Sequence, residues 1–238
     1  RGSHHQALSG EHRIMKKTPR IGGRRIALAA FGACAAAAFL AGGCASLPSP
    51  AELDAQAAAA IKASFREQGI AKTDRIQQNL GQAACSSDKP PSEAVAAQIM
   101  EQARATVKWP AGGQYLGDWR EGERIAQDGR GFTWTDSSAA AGSGGGSCYN
   151  CHQIGKAELS FGNIGPSLYN YGKNRGVRDV TAPTAAPIIQ YTWMKIYNSR
   201  SYSACSNMPR FGHAGLMTEE QMRHVMALLL DPKSPVNE

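Results

Sequence analysis

Cys148, Tyr149, Asn150, Cys151 and His152 stand in an unbroken run. No other stretch of the chain restricts its structure so tightly, because two thiols three residues apart end on one side of a single helical turn. Three chemistries use that spacing: a redox dithiol, half of a zinc site, or two points of attachment for a covalent group. A redox dithiol needs a strand-helix frame of the thioredoxin kind, which the flanking sequence lacks. Zinc needs further ligands at matching spacing, and none lies near in sequence.

The 238-residue chain does not read as folded domain from its first residue. Lys16, Lys17, Arg20, Arg24 and Arg25 precede an apolar run over residues 26–41 and then small residues, the layout of a bacterial export signal. The run is short for a membrane span. Met15 is read as the natural start, and residues 1–14 as an upstream remnant. Two exits from the membrane fit: cleavage after Ala45, or lipidation of Cys44, with membrane attachment expected only in the second case. The Arg24-Arg25 pair is a poor twin-arginine motif.

Export also reorders the charge and the cysteines. The net charge is +7, but residues 1–25 hold seven Lys/Arg against the single acid Glu11, so six of those seven charges leave with the signal. The remaining +1 leaves no polybasic face, and nucleic acid is excluded as a partner. Of the six cysteines, Cys34 and Cys44 belong to the signal region, and Cys85, Cys148, Cys151 and Cys205 remain for an oxidising compartment, the periplasm.

The mature chain reads as mainly α. Ser49 caps a helix that Glu52 completes with a capping box, Ala-rich sequence carries it to about Gln68, and Gly69 stops it. A second helix is expected over residues 73–84. A third, over 92–108, places Val95, Ile99, Ala103 and Val107 on one face before Pro110. A short helix follows over 117–126, then a Gly/Ser-rich loop over 137–147 that delivers the chain to Cys148. Thr218 and Gln221 open a terminal helix with Met222, Val225, Met226 and Leu229 on one face, up to Asp231-Pro232. His224, on that helix, is read as surface.

C-x-x-C-H is the attachment sequence for one covalent haem c: the two sulfurs bond the porphyrin edge and the imidazole of the next residue faces the iron. Cys148 and Cys151 are the attachment residues and His152 the proximal ligand. Met194, Met208, Met217, Met222, Met226, His213 and His224 lie downstream as candidates for the other axial position. Met222 and Met226 fit the core stripe of the last helix, whereas Met208 sits before Pro209 in a loop and is the expected ligand, with His213 the alternative. Pro166 keeps a carbonyl that can accept the proton on the other ring nitrogen of His152. Trp119, Trp134, Trp193 and Tyr169 need no role beyond packing, and Lys173, Arg175 and Arg178 read as a solvated face.

Four blocks in order, residues 122–125, 148–152, 164–168 and Met208 before the terminal helix, resemble a class I cytochrome c. The gap between Ile125 and Cys148 is far longer than in the usual monohaem carriers. It narrows the resemblance, and together with residues 114–119, 132–134, 162–169, 205–213 and 228–237 the chain is similar to the SoxX family over about residues 114–237. The chain thus divides into an upstream remnant and export signal over 1–45, a helical N-terminal extension over 46–110 that lies outside the resemblance, and, as the resemblance implies, a class I cytochrome c domain over 111–238. The resemblance implies a periplasmic haem subunit paired with a SoxA-type subunit, meeting the carrier SoxYZ and a soluble cytochrome c acceptor transiently. The complex joins thiosulfate oxidatively to a carrier cysteine, as an L-cysteine S-thiosulfotransferase does. The sulfur chemistry belongs to the partner, so no catalytic residue is expected here. Cys85 and Cys205, the even remainder, are expected to form a disulfide. The competing readings are a free-standing monohaem carrier and a haem gas sensor that holds Met208 weakly or not at all.

Overall fold

The computed structural model describes residues 47–238. The expected signal, the remnant, Cys34, Cys44 and the junction at Ala45 lie outside the described residues. The described chain is mainly α, and its only extended pairing is a single bridge between Gln68 and Ala71. Among the described residues no helix is long and apolar enough to cross a membrane.

Two compact units meet in the sequence at Ala63 and Ser64. In the first, α1 (Pro50–Ser64) opens on the expected box: the Glu52 N–H donates to Ser49 Oγ at 3.3 Å and the Ser49 N–H donates to Glu52 Oε2 at 2.7 Å. It buries none of its residues, so alanine propensity rather than packing makes it helical. The helix stops at Ser64, short of Gly69. Gly69 instead adopts a left-handed φ of 55° between the bridged Gln68 and Ala71, a turn that glycine makes without steric penalty.

The second unit, Ser64–Glu238, has no break at 110/111, where the extension was expected to end. The expected helix over 73–84 is two pieces, a 3-10 turn (Thr73–Ile76) and α2 (Leu80–Cys85), because Asn79 starts α2 afresh with a capping box to Gln82. Ser92 caps α3 (Glu93–Ala105), which buries Ile99 and Ala103. This upstream part is bonded to the chain's second half. Arg104 Nε donates to Ser201 O at 2.9 Å, Trp193 Nε1 to Lys108 O at 2.8 Å, and Cys85 is joined to Cys205.

Three helices enclose the main core: α4 (Trp119–Gln127), α6 (Ala186–Tyr197) and α7 (Glu219–Leu230), with the short α5 (Tyr171–Asn174) beside the end of α7. Where α4 crosses α7, Gly122 lies directly on α7 backbone, and a Cβ there would overlap the His224 carbonyl. Ile125 and Ala126 then fill the seam against Val225, Met226 and Leu229. α7 starts from the expected Thr218–Gln221 capping box. The sequence reading did not include α6, which has no side-chain cap. Ile189, Trp193 and Ile196 on its buried face hold it helical, each contributing roughly 1.5–3 kcal/mol by burial. At the other end of α7, Asn237 Oδ1 accepts the N–H groups of Gly172 and Lys173 while its Nδ2 donates to Leu229 O and Asp231 O, which fastens α5 to the end of the core.

Gly122→Ala tests the α4–α7 approach. One methyl group in that seam is expected to lower unfolding stability by about 1–3 kcal/mol. Urea titration followed by circular dichroism reads the loss, and an unchanged midpoint would contradict the contact.

Candidate functional site

The attachment turn is held from both sides. Upstream, the end of α4 takes over the Gly-rich loop: the Gly146 N–H donates to Ile125 O at 2.7 Å and the Ser147 N–H to Asp128 O at 2.9 Å. Ser147 sits at φ 51°, a left-handed conformation that costs a non-glycine residue roughly 1–2 kcal/mol and turns the chain into the 3-10 segment Cys148–Asn150. Within that turn Cys148 O accepts both the Cys151 and the His152 N–H groups, at 3.1 and 2.9 Å, so the three side chains of the motif come from one helical turn. Cys148 and Cys151 are free thiols, each partly buried. Burial above all pushes the Cys148 thiol up to about 12, so it is protonated at neutral pH.

Downstream, the following loop folds back over the turn. The Gly162 N–H donates to Tyr149 O at 2.8 Å, the Gly165 N–H to Cys151 O at 2.9 Å and the Leu168 N–H to Gln153 O at 2.7 Å. This brings Pro166 onto His152, whose Nδ1 lies 2.6 Å from Pro166 O. A carbonyl only accepts, so Nδ1 is the donor in this bond, and Nε2 is the ring nitrogen the bond leaves unused. Gly165 packs so close to the imidazole that a Cβ would overlap the ring. The ring is therefore fixed in orientation.

Met208 comes from a different region. The loop that carries it is tied to the end of α6: Ser199 Oγ donates to Met208 O at 2.6 Å, and the His213 N–H to Tyr197 O at 3.0 Å. Three residues earlier Cys205 is bonded to Cys85, 5.4 Å between Cα atoms, so the disulfide anchors this loop to α2. The Met208 side chain is half-buried against the core. Met217, Met222 and Met226 are core residues, and His213 is exposed on the surface. His224 is partly exposed, but Gly117 and Asp118 pack against it and its Nδ1 accepts the Asp118 N–H at 2.8 Å, so it also serves the start of α4. Of the basic cluster, Arg175 is occupied over the Tyr171 ring at 3.7 Å, while Lys173 and Arg178 are exposed.

The donor set discriminates among the three chemistries. A redox dithiol needs a lowered thiol pKa, and Cys148 is shifted the other way. Among the described residues no group of three His, Cys, Asp or Glu side chains converges as metal-binding ligands, so zinc finds no complete tetrahedron. Two thiols on the turn that carries an imidazole oriented through Nδ1 do fit haem c. Gly146 is packed against both Cys148 and Met217: a Cβ there would lie 2.6 Å from Met217 Cε and 2.7 Å from Cys148 Sγ.

Two residues that the sequence reading passed over belong to this site. Tyr149, between the cysteines, donates its hydroxyl to Glu123 on α4 at 2.8 Å. The only sequence signal was a large aromatic at a variable position of the motif.

No family model matches the chain. It is 37% identical over 166 residues to an uncharacterized lipoprotein of Aquifex aeolicus (strain VF5), an alignment covering 67% of this chain and 73% of that one. At that identity and coverage the mainly α chain described here belongs to the family of that lipoprotein.

Asp128 supports a prediction on acid stability. Arg130 bonds its carboxylate with Nε and Nη2 and lowers its pKa from 3.8 to about 2. A depressed folded-state value means that the pair stabilises the fold fully above pH 3.8 and ceases to do so as pH falls through about 2. The stability deficit of Asp128→Asn relative to wild type is therefore expected to be constant near neutrality and to shrink between pH 4 and pH 2, read by urea unfolding at each pH. Removing the disulfide with Cys85→Ser and Cys205→Ser together is expected to lower stability by about 2–4 kcal/mol, because the link closes a long loop of the unfolded chain. Reductant added to the wild type in the same assay should reproduce that loss.

Proposed function

We propose that this chain is an exported monohaem cytochrome c, the SoxX-like, electron-accepting subunit of a SoxAX-type complex that couples thiosulfate to the SoxYZ carrier cysteine. The observation that carries the reading is the hydrogen bond from His152 to Pro166: it engages Nδ1 and leaves Nε2 as the ring nitrogen free for a metal, on the same turn as two free thiols. That arrangement is what axial ligation by the imidazole of a C-x-x-C-H motif requires.

Haem c, when bound, supplies a one-electron iron couple. Cys148 and Cys151 would hold it through two thioethers, His152 would bind the iron through Nε2, and Pro166 O accepts the hydrogen bond from Nδ1. Met208, presented by a loop fixed at Ser199 and Cys205, would supply the second ligand. A thioether opposite an imidazole favours ferrous iron relative to two imidazoles, which suits a subunit that accepts electrons. The SoxA-type partner performs the sulfur chemistry, and a soluble cytochrome c receives the electrons. The reading places the chain in the periplasm, and the lipoprotein relative supports export, with Cys44 the lipid acceptor where one is attached.

The test is expression with haem-maturation machinery and a SoxA-type subunit. The expected product carries the mass of one haem, has a six-coordinate spectrum unaffected by carbon monoxide, and is reduced by thiosulfate only with the partner and SoxYZ present. A bare polypeptide mass, where other exported cytochromes mature, would refute the haem. A loaded protein that never associates with the partner would make it a free carrier instead.

A further inference from the structure

Glu123 is the one acid of α4 left without a cation. Arg124 is taken by Glu121 at 2.8 Å, and none of the ion pairs among the described residues includes Glu123. Its Oε1 accepts two donors, the Tyr149 hydroxyl at 2.8 Å and Gln127 Nε2 at 2.9 Å. Its Oε2 is fully buried and meets no donor. The Gly155 N–H donates to the Tyr149 hydroxyl at 3.1 Å, so the phenol is held from two sides and aims its proton at Glu123. Two further contacts seat α4 on this turn: the Gly146 and Ser147 N–H groups are bonded to Ile125 O and Asp128 O. Glu123 therefore places a carboxylate with one unsolvated oxygen against Tyr149, the residue next to Cys148. After burial, that charge is among the influences that hold the Cys148 thiol protonated.

We propose that Glu123 sets the electron affinity of the site: a carboxylate with one buried oxygen and no countercharge, held by Tyr149 and Gln127 beside the attachment turn, favours the oxidised iron and lowers the midpoint potential. The proposal rests on the reading of the chain as a haem c protein. Where water is excluded, a fixed charge acts at several times its strength in solvent, and net charge and burial are among the levers that set a haem potential. Glu123 neither gives nor takes the electron. It makes the ferric state, richer by one positive charge, easier to hold.

Glu123→Gln keeps the side chain's size and an oxygen for Tyr149 but removes the charge. Tyr149→Phe keeps the charge and removes one of its donors. An optical redox titration of each holoprotein at pH 7 is expected to move the midpoint upward for Glu123→Gln and downward for Tyr149→Phe, with the axial-ligand spectrum of both unchanged. Mere loosening of the turn would shift the two in the same direction, and that result, or an unmoved Glu123→Gln, overturns the proposal. Should Glu123→Gln fail to take up haem, the apoprotein decides: alkylation of Cys148 by iodoacetamide at pH 8, followed by peptide mass mapping, is expected to be faster than in wild type, and an equal rate rejects the role. A wild-type chain that takes up no haem removes the parent reading together with this one. A wild type that loads, beside a variant of unchanged potential, removes this one alone.

Discussion

The absence of a side chain at Gly122 is the constraint on which the rest of the site depends. It lets α4 lie on the backbone of α7 at His224, and that contact fixes where α4 ends. From there Ile125 and Asp128 hand their carbonyls to Gly146 and Ser147, and Glu123 receives the Tyr149 hydroxyl. The thiols are thus positioned by a helix crossing some twenty residues upstream, through backbone groups rather than through packing of the thiols themselves. The Gly-rich excursion between Gln127 and Cys148 does not disturb this, because both of its ends are hydrogen-bonded to the same few residues of α4. Loop length is thermodynamically tolerable when the ends are fixed in this way.

The His152 side of the site is built by the loop that follows, and the Met208 side by the chain around α6. The two halves use the same device: a main-chain carbonyl as acceptor, Pro166 O for the imidazole and Met208 O for Ser199 Oγ. A carbonyl bears no ionisable proton, so neither anchor changes its hydrogen-bonding character with pH. The upstream segment braces the second anchor through the disulfide and through Arg104 and Lys108.

Much of this was legible in the sequence because it is carried by short-range chemistry. Capping boxes at Ser49 and Thr218 and the cap at Ser92 are local, and each opens a helix where it was expected. The spacing of Cys148, Cys151 and His152 is local as well, so the shared turn could be anticipated. The α6 helix could not be placed by the same means: its β-branched and aromatic residues lack a cap and draw their helicity from tertiary burial, which a window of sequence does not report. Asn79 split an expected helix because a strong cap outweighs continuity of periodicity. His224 read as surface alone because a helical wheel has no knowledge of Gly117 and Asp118 packing against it from more than a hundred residues away. The family relationship supports the reading of an exported chain but adds nothing to the choice of cofactor or partner, and those rest on the residues of the site.

The covalent topology has a practical consequence for anyone handling this chain outside its cell. The Cys85–Cys205 link spans 120 residues and encircles both free thiols among the described residues. An oxidant meeting the denatured, fully reduced polypeptide encounters Cys148 and Cys151 as nearest neighbours, and closing that tiny ring demands far less chain entropy than closing the large one. Oxidative renaturation thus begins with a kinetic bias toward the wrong partners, and material recovered from inclusion bodies calls for a thiol-shuffling buffer rather than air.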